Sequence, residues 1–290
     1  MQEIIEIKKQ LELEKDTLFS NKVFMKDAFK LCINYSLLIE EYIIKVLSNK
    51  KVNFILAAAG SFSRRELSPN SDIDLMLIAE SVEEEKQSIE KSIASLWDIG
   101  IEISYTVREF TDIDKFLEED LTSFTQFFET RFLYGNKELY KKWNEKILSV
   151  LDETHKKRLL NQYFTDISLR HKKYGNSPKV LEPNVKSSAG GLRDFHTIEW
   201  IYSIKNNRII SNQAEITQTE LFLLEMEKES FVDHKALKRL LKSYKTILLV
   251  RNLLHIFSKR RQDRFEFTMQ KEIAFFLGYS EINWKEFMFE

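Results

Sequence analysis

One cysteine, three prolines and seven glycines are all that 290 residues contain of the three residue types that most often constrain or break a chain. The single cysteine, Cys32, rules out an intrachain disulfide and a cysteine-rich zinc site, and it suits a reducing cytoplasm. It falls in an apolar helical pattern, where a small core residue is expected. No apolar run approaches the roughly 18 residues that a membrane span requires. The amino-terminal stretch MQEIIEIKKQLELEKD is too charged for a signal peptide. Neither sign of charge is in excess: 44 basic residues face 45 acidic ones, a net charge of -1, so nothing global recruits nucleic acid or an anionic membrane. Any phosphate must be held by a local site. Internal repeats and low-complexity segments are also missing. What remains is 43% hydrophobic, 31% charged and 12% aromatic, the composition of a globular protein of one large domain or two ordinary ones, without a long disordered tract.

Apolar residues recur at helical spacing over 2–17 and 22–49, which predicts two helices. VNFILAAA (52–59) and DIDLMLIA (72–79) are short apolar runs of the kind that form strands covered on both faces. Ser81 and Glu84 form a capping-box pattern ahead of a helix that Gly100 ends. IEISYTV (101–107) then alternates, with Ile101, Ile103, Tyr105 and Val107 toward a core and Glu102, Ser104 and Thr106 on the other face. Beyond it the strand signal stops. Helices are predicted over 111–134, 136–150, 152–174, 192–206, 216–230, 233–261 and 268–277. This shift places a domain boundary near Gly135, giving domains of 1–135 and 136–290. One long irregular connection, GNSPKVLEPNVKSSAGG (175–191), holds two of the three prolines and three of the seven glycines. Long ordered loops of this kind often carry function.

The stretch AAAGSFSRRELSPNSDIDLMLI (57–78) concentrates the chemistry. Side chains alternate along a strand, so Asp72 and Asp74 project from one face, about 6 to 7 Å apart at Cα. Like charges that close repel unless a cation lies between them, and hard oxygen ligands suit Mg²⁺. If the third strand pairs beside the second, Glu102 adds a third carboxylate, and three carboxylates on adjacent strands can hold the two divalent ions used in phosphoryl transfer. Asp98 competes for that place, but it lies at a helix end beside Gly100, and strand geometry favours Glu102. Gly60 follows a strand and lets backbone N–H groups approach phosphate oxygens, Ser61 adds a hydroxyl, and Arg64 or Arg65 can neutralise triphosphate charge. Each feature alone is common; their order and spacing are not.

GSFSRRELSPNSDIDLMLI resembles the nucleotidyltransferase signature of the DNA polymerase beta superfamily, in the form carried by bacterial PII uridylyltransferases, the bifunctional uridylyltransferase/uridylyl-removing enzymes. The resemblance continues through LWDIGIEISYTVR (96–108), DLTSFTQFFETRFLYGN (120–136), LEPNVKSSAGGLRDFHTIEWI (181–201) and RFEFTMQKEIAFFLGY (264–279). It implies an α+β, polymerase-beta-like nucleotidyltransferase domain with a small mixed sheet, followed by an all-helical domain, with the active site in the cleft between them. Carried over, Gly60 and Ser61 fall on the phosphate-contacting pair, Asp72 and Asp74 on the metal-binding aspartates and Glu102 on the third acid. The resemblance also implies Mg²⁺ (or Mn²⁺) as cofactor, UTP as donor and a tyrosine of a PII-type nitrogen regulatory protein as acceptor. Adenylyl or other nucleotidyl transfer to a different protein or small molecule stays open, as does a nucleotide-binding sensor without turnover.

The chain departs from the pattern where Ser63 and Arg65 replace glycines near the triphosphate, which leaves nucleotide choice open. It also stops at NWKEFMFE, inside an amphipathic pattern, whereas the enzymes it resembles continue into HD and ACT domains, which leaves open both a piece of a longer protein and a natural short one. Lys186 and Arg193 are candidates to close over the triphosphate, against the alternative of a loop cation and a helix-anchoring pair between Arg193 and Asp194. His196 reads as a structural histidine, and SKRRQDR (258–264) as a solvated helix end.

Overall fold

The computed structural model describes residues 2–48, 50–210 and 216–289, with the side chains of 121, 122, 288 and 289 left aside. The last residue of the helix expected over 22–49 lies outside the described residues. The chain opens with α1 (Gln2–Ser20), α2 (Lys22–Met25) and α3 (Ala28–Leu47). The single helix expected across 22–49 is thus broken, because the Asp27 side chain turns back to accept a hydrogen bond from the Lys30 N–H and starts a new helix. Next come β1 (Ile55–Ala59), the one-turn α4 (Gly60–Ser63), β2 (Ile73–Ala79), α5 (Val82–Asp98) and β3 (Ile103–Glu109). Ser81 caps α5 as its sequence suggests.

α6 (Phe110–Glu119), α7 (Leu121–Thr125) and a 3₁₀ turn (Gln126–Phe128) follow, and then β4 (Thr130–Gly135). One continuous helix was the expectation for 111–134; the structure corrects it with a strand. TRFLYG carries enough aromatic and β-branched residues to form one, and its antiparallel partner is β1, some 75 residues earlier (Ile55 opposite Gly135). Local periodicity does not report a partner that distant. The remaining elements are α8 (Lys137–Ser149), α9 (Glu153–Lys173), α10 (Leu192–Lys205), α11 (Gln218–Lys228), α12 (His234–Ser258) and α13 (Phe267–Leu277). All six match the helices expected there to within a few residues.

The four strands form one mixed sheet in the order β3-β2-β1-β4, with β1 antiparallel to β2 and β4 and with β2 parallel to β3 through the α5 crossover. An α+β fold with a small mixed sheet followed by helices is therefore what the chain adopts. One face of the sheet (Leu56, Ala58, Ile73, Leu75, Leu77) packs on Leu31, Ile39 and Ile43 of α3 and on Ile89, Ile93 and Leu96 of α5. The other (Ile55, Ala57, Met76, Ile78) packs on α6, α8 and α9 through Ile113, Trp143, Ile147 and Leu159. That second core runs across position 135 without a gap. β3 lies at the sheet edge, which leaves Tyr105 40% exposed against Trp97 instead of turned into the core. α3 also reaches the helical half, where Ala28, Phe29 and Cys32 meet Leu192, Tyr244 and Leu248.

Candidate active site

By alternation Asp74 shares a sheet face with Met76 and Ile78, but it stands at the start of β2, where the helices no longer cover that face. Gly60 faces it. The backbone there has φ +53°, and a Cβ on residue 60 would lie 3.0 Å from Asp74 Oδ2. Only glycine reconciles the left-handed turn with so close a carboxylate. Ser61 lies next to it on the wall of the same small cavity, with Lys186, Leu192 and Arg193 from the long loop and α10 opposite.

The loop is tied together by its own residues. Asn184 Oδ1 accepts from the N–H groups of Lys186 and Ser187, and Ser188 Oγ accepts from the Asn184 N–H. A Cβ on Gly191 would meet the carbonyl oxygens of Val185 and Ser188 at 2.8 and 2.9 Å, so the chain crosses itself here only because residue 191 has no side chain. The Arg193 N–H then donates to the Lys186 carbonyl at 2.9 Å, tying the two cationic residues together. Asp194 pairs with Arg170 (2.6 Å) and His171 (3.0 Å), not with Arg193. Among the described residues neither Lys186 Nζ nor the Arg193 guanidinium has an ion-pair or hydrogen-bond partner, although Arg193 stacks over Trp200 at 5.1 Å. Burial, then the positive charges of Arg251 and Arg193, pushes the Lys186 ammonium down to about 8. Burial likewise lowers Arg193. Two unpaired, partly desolvated cations facing one cavity call for an anion.

The other two arginines take different parts. Arg64 lines the cavity floor but is fully engaged with Glu66 (2.9 Å) and Glu129. Burial opposes its charge, yet Glu129 and Glu66 outweigh burial and hold it above the usual arginine range. Arg65 turns away to Glu40 of α3 at 3.1 Å and is not part of the cavity wall. His196 is buried, lies 3.0 Å from the Tyr244 hydroxyl and 3.4 Å from Glu66, and is pushed down to about 4 by burial and then by Arg64. Its Nδ1 has no hydrogen-bond partner among the described residues, and the residue belongs to the wall of the same cavity.

The carboxylates test whether a divalent ion fits. Asp74 accepts no hydrogen bond among the described residues, and its carboxyl is raised by burial first and by Asp72 next. Asp72 is exposed and bonded to Arg261 at 2.5 Å. This pair suits one hard cation that would relieve the repulsion, since Mg²⁺ is commonly held by one or two carboxylates, with waters and phosphate oxygens completing its shell. The third carboxylate does not join them. In the parallel register Ser104 stands opposite Asp74, whereas Glu102 precedes β3, accepts the Ile73 N–H through its carbonyl at 3.3 Å, and lines a cavity with Tyr35 and Ile73. Among the described residues no three His, Cys, Asp or Glu side chains gather as a metal site.

Sequence reasoning missed the group that aims the aspartates. Arg251 of α12 donates to Ser68 Oγ (2.8 Å) and Asp263 (2.7 Å), Asn70 donates to the His255 carbonyl (2.9 Å), and the His255 ring bonds the Pro69 carbonyl. The end of α12 and the segment after it thus clasp the 68–71 turn that leads into Asp72. The only local signal was the basic cluster around 258–264, whose Arg261 reaches Asp72.

Comparison with known proteins gives a consistent result. The family model described as GlnD PII-uridylyltransferase matches residues 155–290. The bifunctional uridylyltransferase/uridylyl-removing enzyme of Pseudomonas putida (strain W619) is 34% identical over 237 residues, covering 79% of this chain and 24% of that protein. The enzyme of the same description from Hydrogenovibrio crunogenus is 34% identical over 230 residues, 78% of this chain and 24% of its own length. That from Pseudomonas fluorescens (strain SBW25) is 32% identical over 240 residues, 80% of this chain and 24% of its own length. The chain thus spans about a quarter of the length of the curated relatives it matches. Among the described residues no helix is long and apolar enough to cross a membrane.

Proposed function

We propose, from the premise that this chain is a relative of the PII uridylyltransferases, that it transfers a nucleoside monophosphate from a nucleoside triphosphate to a protein hydroxyl. UTP is the donor on this reading, a PII-type nitrogen regulatory protein the acceptor, and the cytoplasm the setting. The observation that carries it is the convergence on one cavity of Gly60, Ser61 and Asp74 from the sheet half (1–135) with Lys186 and Arg193 from the helical half (136–290), two cations unpaired among the described residues.

In this arrangement the acceptor hydroxyl gives its proton up to solvent as its oxygen attacks the α-phosphorus in line, the bond from that phosphorus to the bridging oxygen breaks, and pyrophosphate leaves. Backbone N–H groups at Gly60 and the Ser61 hydroxyl orient the phosphates, which the missing side chain at position 60 lets approach. Lys186 and Arg193 meet the charge that builds on the departing pyrophosphate. Asp72 and Asp74 would hold Mg²⁺ or Mn²⁺, which supplies charge neutralisation and an acidified hydroxyl when bound. Glu102 stands outside that pair and receives no role in this sequence of events. Arg64 acts from below by fixing the Gly60 turn to Glu66 and Glu129, and Arg65 by fixing it to Glu40.

The test is a transfer assay with four labelled nucleoside triphosphates, divalent metal and a PII-type protein, with pyrophosphate release measured in parallel. Label should appear on the acceptor, from UTP above the others, with one pyrophosphate per transfer. No incorporation and no pyrophosphate from any of the four would refute the reading.

A further inference from the structure

A second cavity of about 410 Å³ adjoins the first, and Arg193 and Glu129 belong to the walls of both. Its volume lies within the roughly 300 to 1,000 Å³ of small-molecule sites. Its wall is aromatic. Tyr163 of α9 and Trp200 of α10 lie with ring centroids 5.8 Å apart at 33°, and each ring is anchored: the Trp200 Nε1–H donates to Glu129 at 2.8 Å, and the Tyr163 hydroxyl bonds Thr125. Leu169 stands at the rim, 62% exposed.

Two polar groups at this cavity remain unused. Gln126, in the 3₁₀ turn ahead of β4, is exposed, and its side-chain amide has no hydrogen-bond partner among the described residues. The Asp166 carboxylate is exposed and equally free. An amide offers one donor edge and one acceptor edge side by side, the complement of a base edge that presents an acceptor beside a donor. A carboxylate accepts from paired hydroxyls. The guanidinium of Arg193, stacked on Trp200 while facing the first cavity, joins an anionic compartment to an aromatic one. A ligand that fills both has a polyanionic end and a planar end.

We propose that this second cavity is the nucleoside subsite of the donor, with the base against Trp200 and Tyr163, the ribose toward Asp166, and Gln126 reading the base edge. The inference rests on the reading of the first cavity as a triphosphate site. It adds a specificity-determining residue that the signature GSFSRRELSPNSDIDLMLI does not contain, since that signature binds phosphate and metal and is blind to the base.

The test separates the two readings by using inorganic tripolyphosphate beside nonhydrolysable analogues of UTP, CTP, ATP and GTP, all followed by calorimetry on the whole chain. Leu169→Trp crowds the cavity from an exposed rim position and Gln126→Ala removes the edge reader, neither at a buried site. Leu169→Trp should change affinity for the nucleotides by about tenfold or more, the scale of one stacked base, with tripolyphosphate affinity unmoved. Gln126→Ala should narrow the differences among the four nucleotides. If both variants bind all four nucleotides as the parent does, or if they alter only the KM for the protein acceptor, the subsite assignment is wrong and the triphosphate reading stands. If the parent binds neither tripolyphosphate nor any nucleotide, the triphosphate reading falls and takes this inference with it.

Discussion

A side chain at Gly60 would place its first carbon 3.0 Å from a carboxylate oxygen of Asp74, so the turn after β1 and the first turnward residue of β2 are fitted to one another. This contact defines the cavity and supplies the first expectation. Gly60→Ala must either move Asp74 or flatten a backbone held at φ +53°. The left-handed strain costs about 1 to 2 kcal/mol. Thermal melting should show that loss, and calorimetry should show tripolyphosphate and nucleotide affinity falling about tenfold or more. Unchanged affinity would remove the Gly60 turn from phosphate binding.

Asp74→Asn and Asp72→Asn should each abolish transfer while the protein remains folded. Asp74 has a raised carboxyl, by burial and then by Asp72, so the folded state holds its proton to higher pH than the unfolded state does. Its contribution to stability is therefore present at low pH and is lost as pH rises through the folded value. Without metal at neutral pH, Asp74→Asn should melt at or above the parent temperature, and the difference should vanish in acid. Asp72→Asn loses its exposed pair with Arg261 and also relieves its repulsion of Asp74, so stability without metal should hold or rise slightly. Metal-dependent transfer near the parent rate in either variant would exclude the pair as the cation site.

Lys186→Ala and Arg193→Ala should each weaken triphosphate binding by about 1.5 to 3 kcal/mol, the scale of charge-assisted hydrogen bonds. The lysine also gives a pH signature. With its ammonium pushed down to about 8, the free protein loses this charge as pH rises through that value, so affinity should fall between pH 7 and 9. Near pH 8 binding should take up a proton, seen as a dependence of the calorimetric heat on the buffer. In Lys186→Ala that dependence should be gone; its persistence would assign the proton elsewhere.

Arg64 and Arg65, adjacent in sequence, should behave differently. Removing Arg64 takes the paired cation from the buried Glu66 and Glu129, which keep only neutral donors such as Tyr244 and Trp200, so Arg64→Ala should cost about 3 to 5 kcal/mol in denaturant unfolding. Arg64→Lys should not restore the loss, because one ammonium cannot span both carboxylates as the guanidinium does. Arg65→Ala should cost less, since Glu40 keeps Arg131 as a partner at 2.8 Å. Equal losses would contradict the buried network as drawn.

The sequence alone determined the order of the parts. Apolar runs located β1 and β2, the Ser81 cap and Gly100 bounded α5, and helical periodicity placed α8 to α13, because each of these signals lies within a few residues of the structure it specifies. Alternation was enough to expect Asp72 and Asp74 on one face, and glycine at position 60 was enough to mark a close approach. Tertiary structure decided the rest, because it depends on partners far apart in the chain. β4 exists as a strand only by pairing with β1. Register set Ser104, and not Glu102, beside Asp74. The adjacent Arg64 and Arg65 were indistinguishable in sequence and were separated by which carboxylates the fold delivered to each: Glu66 and Glu129 to one, Glu40 to the other. Arg193 gained its standing from what the fold withheld, since Asp194 went to Arg170 and His171 and left the Arg193 guanidinium, like the Lys186 ammonium, without an ion-pair partner among the described residues beside the cavity.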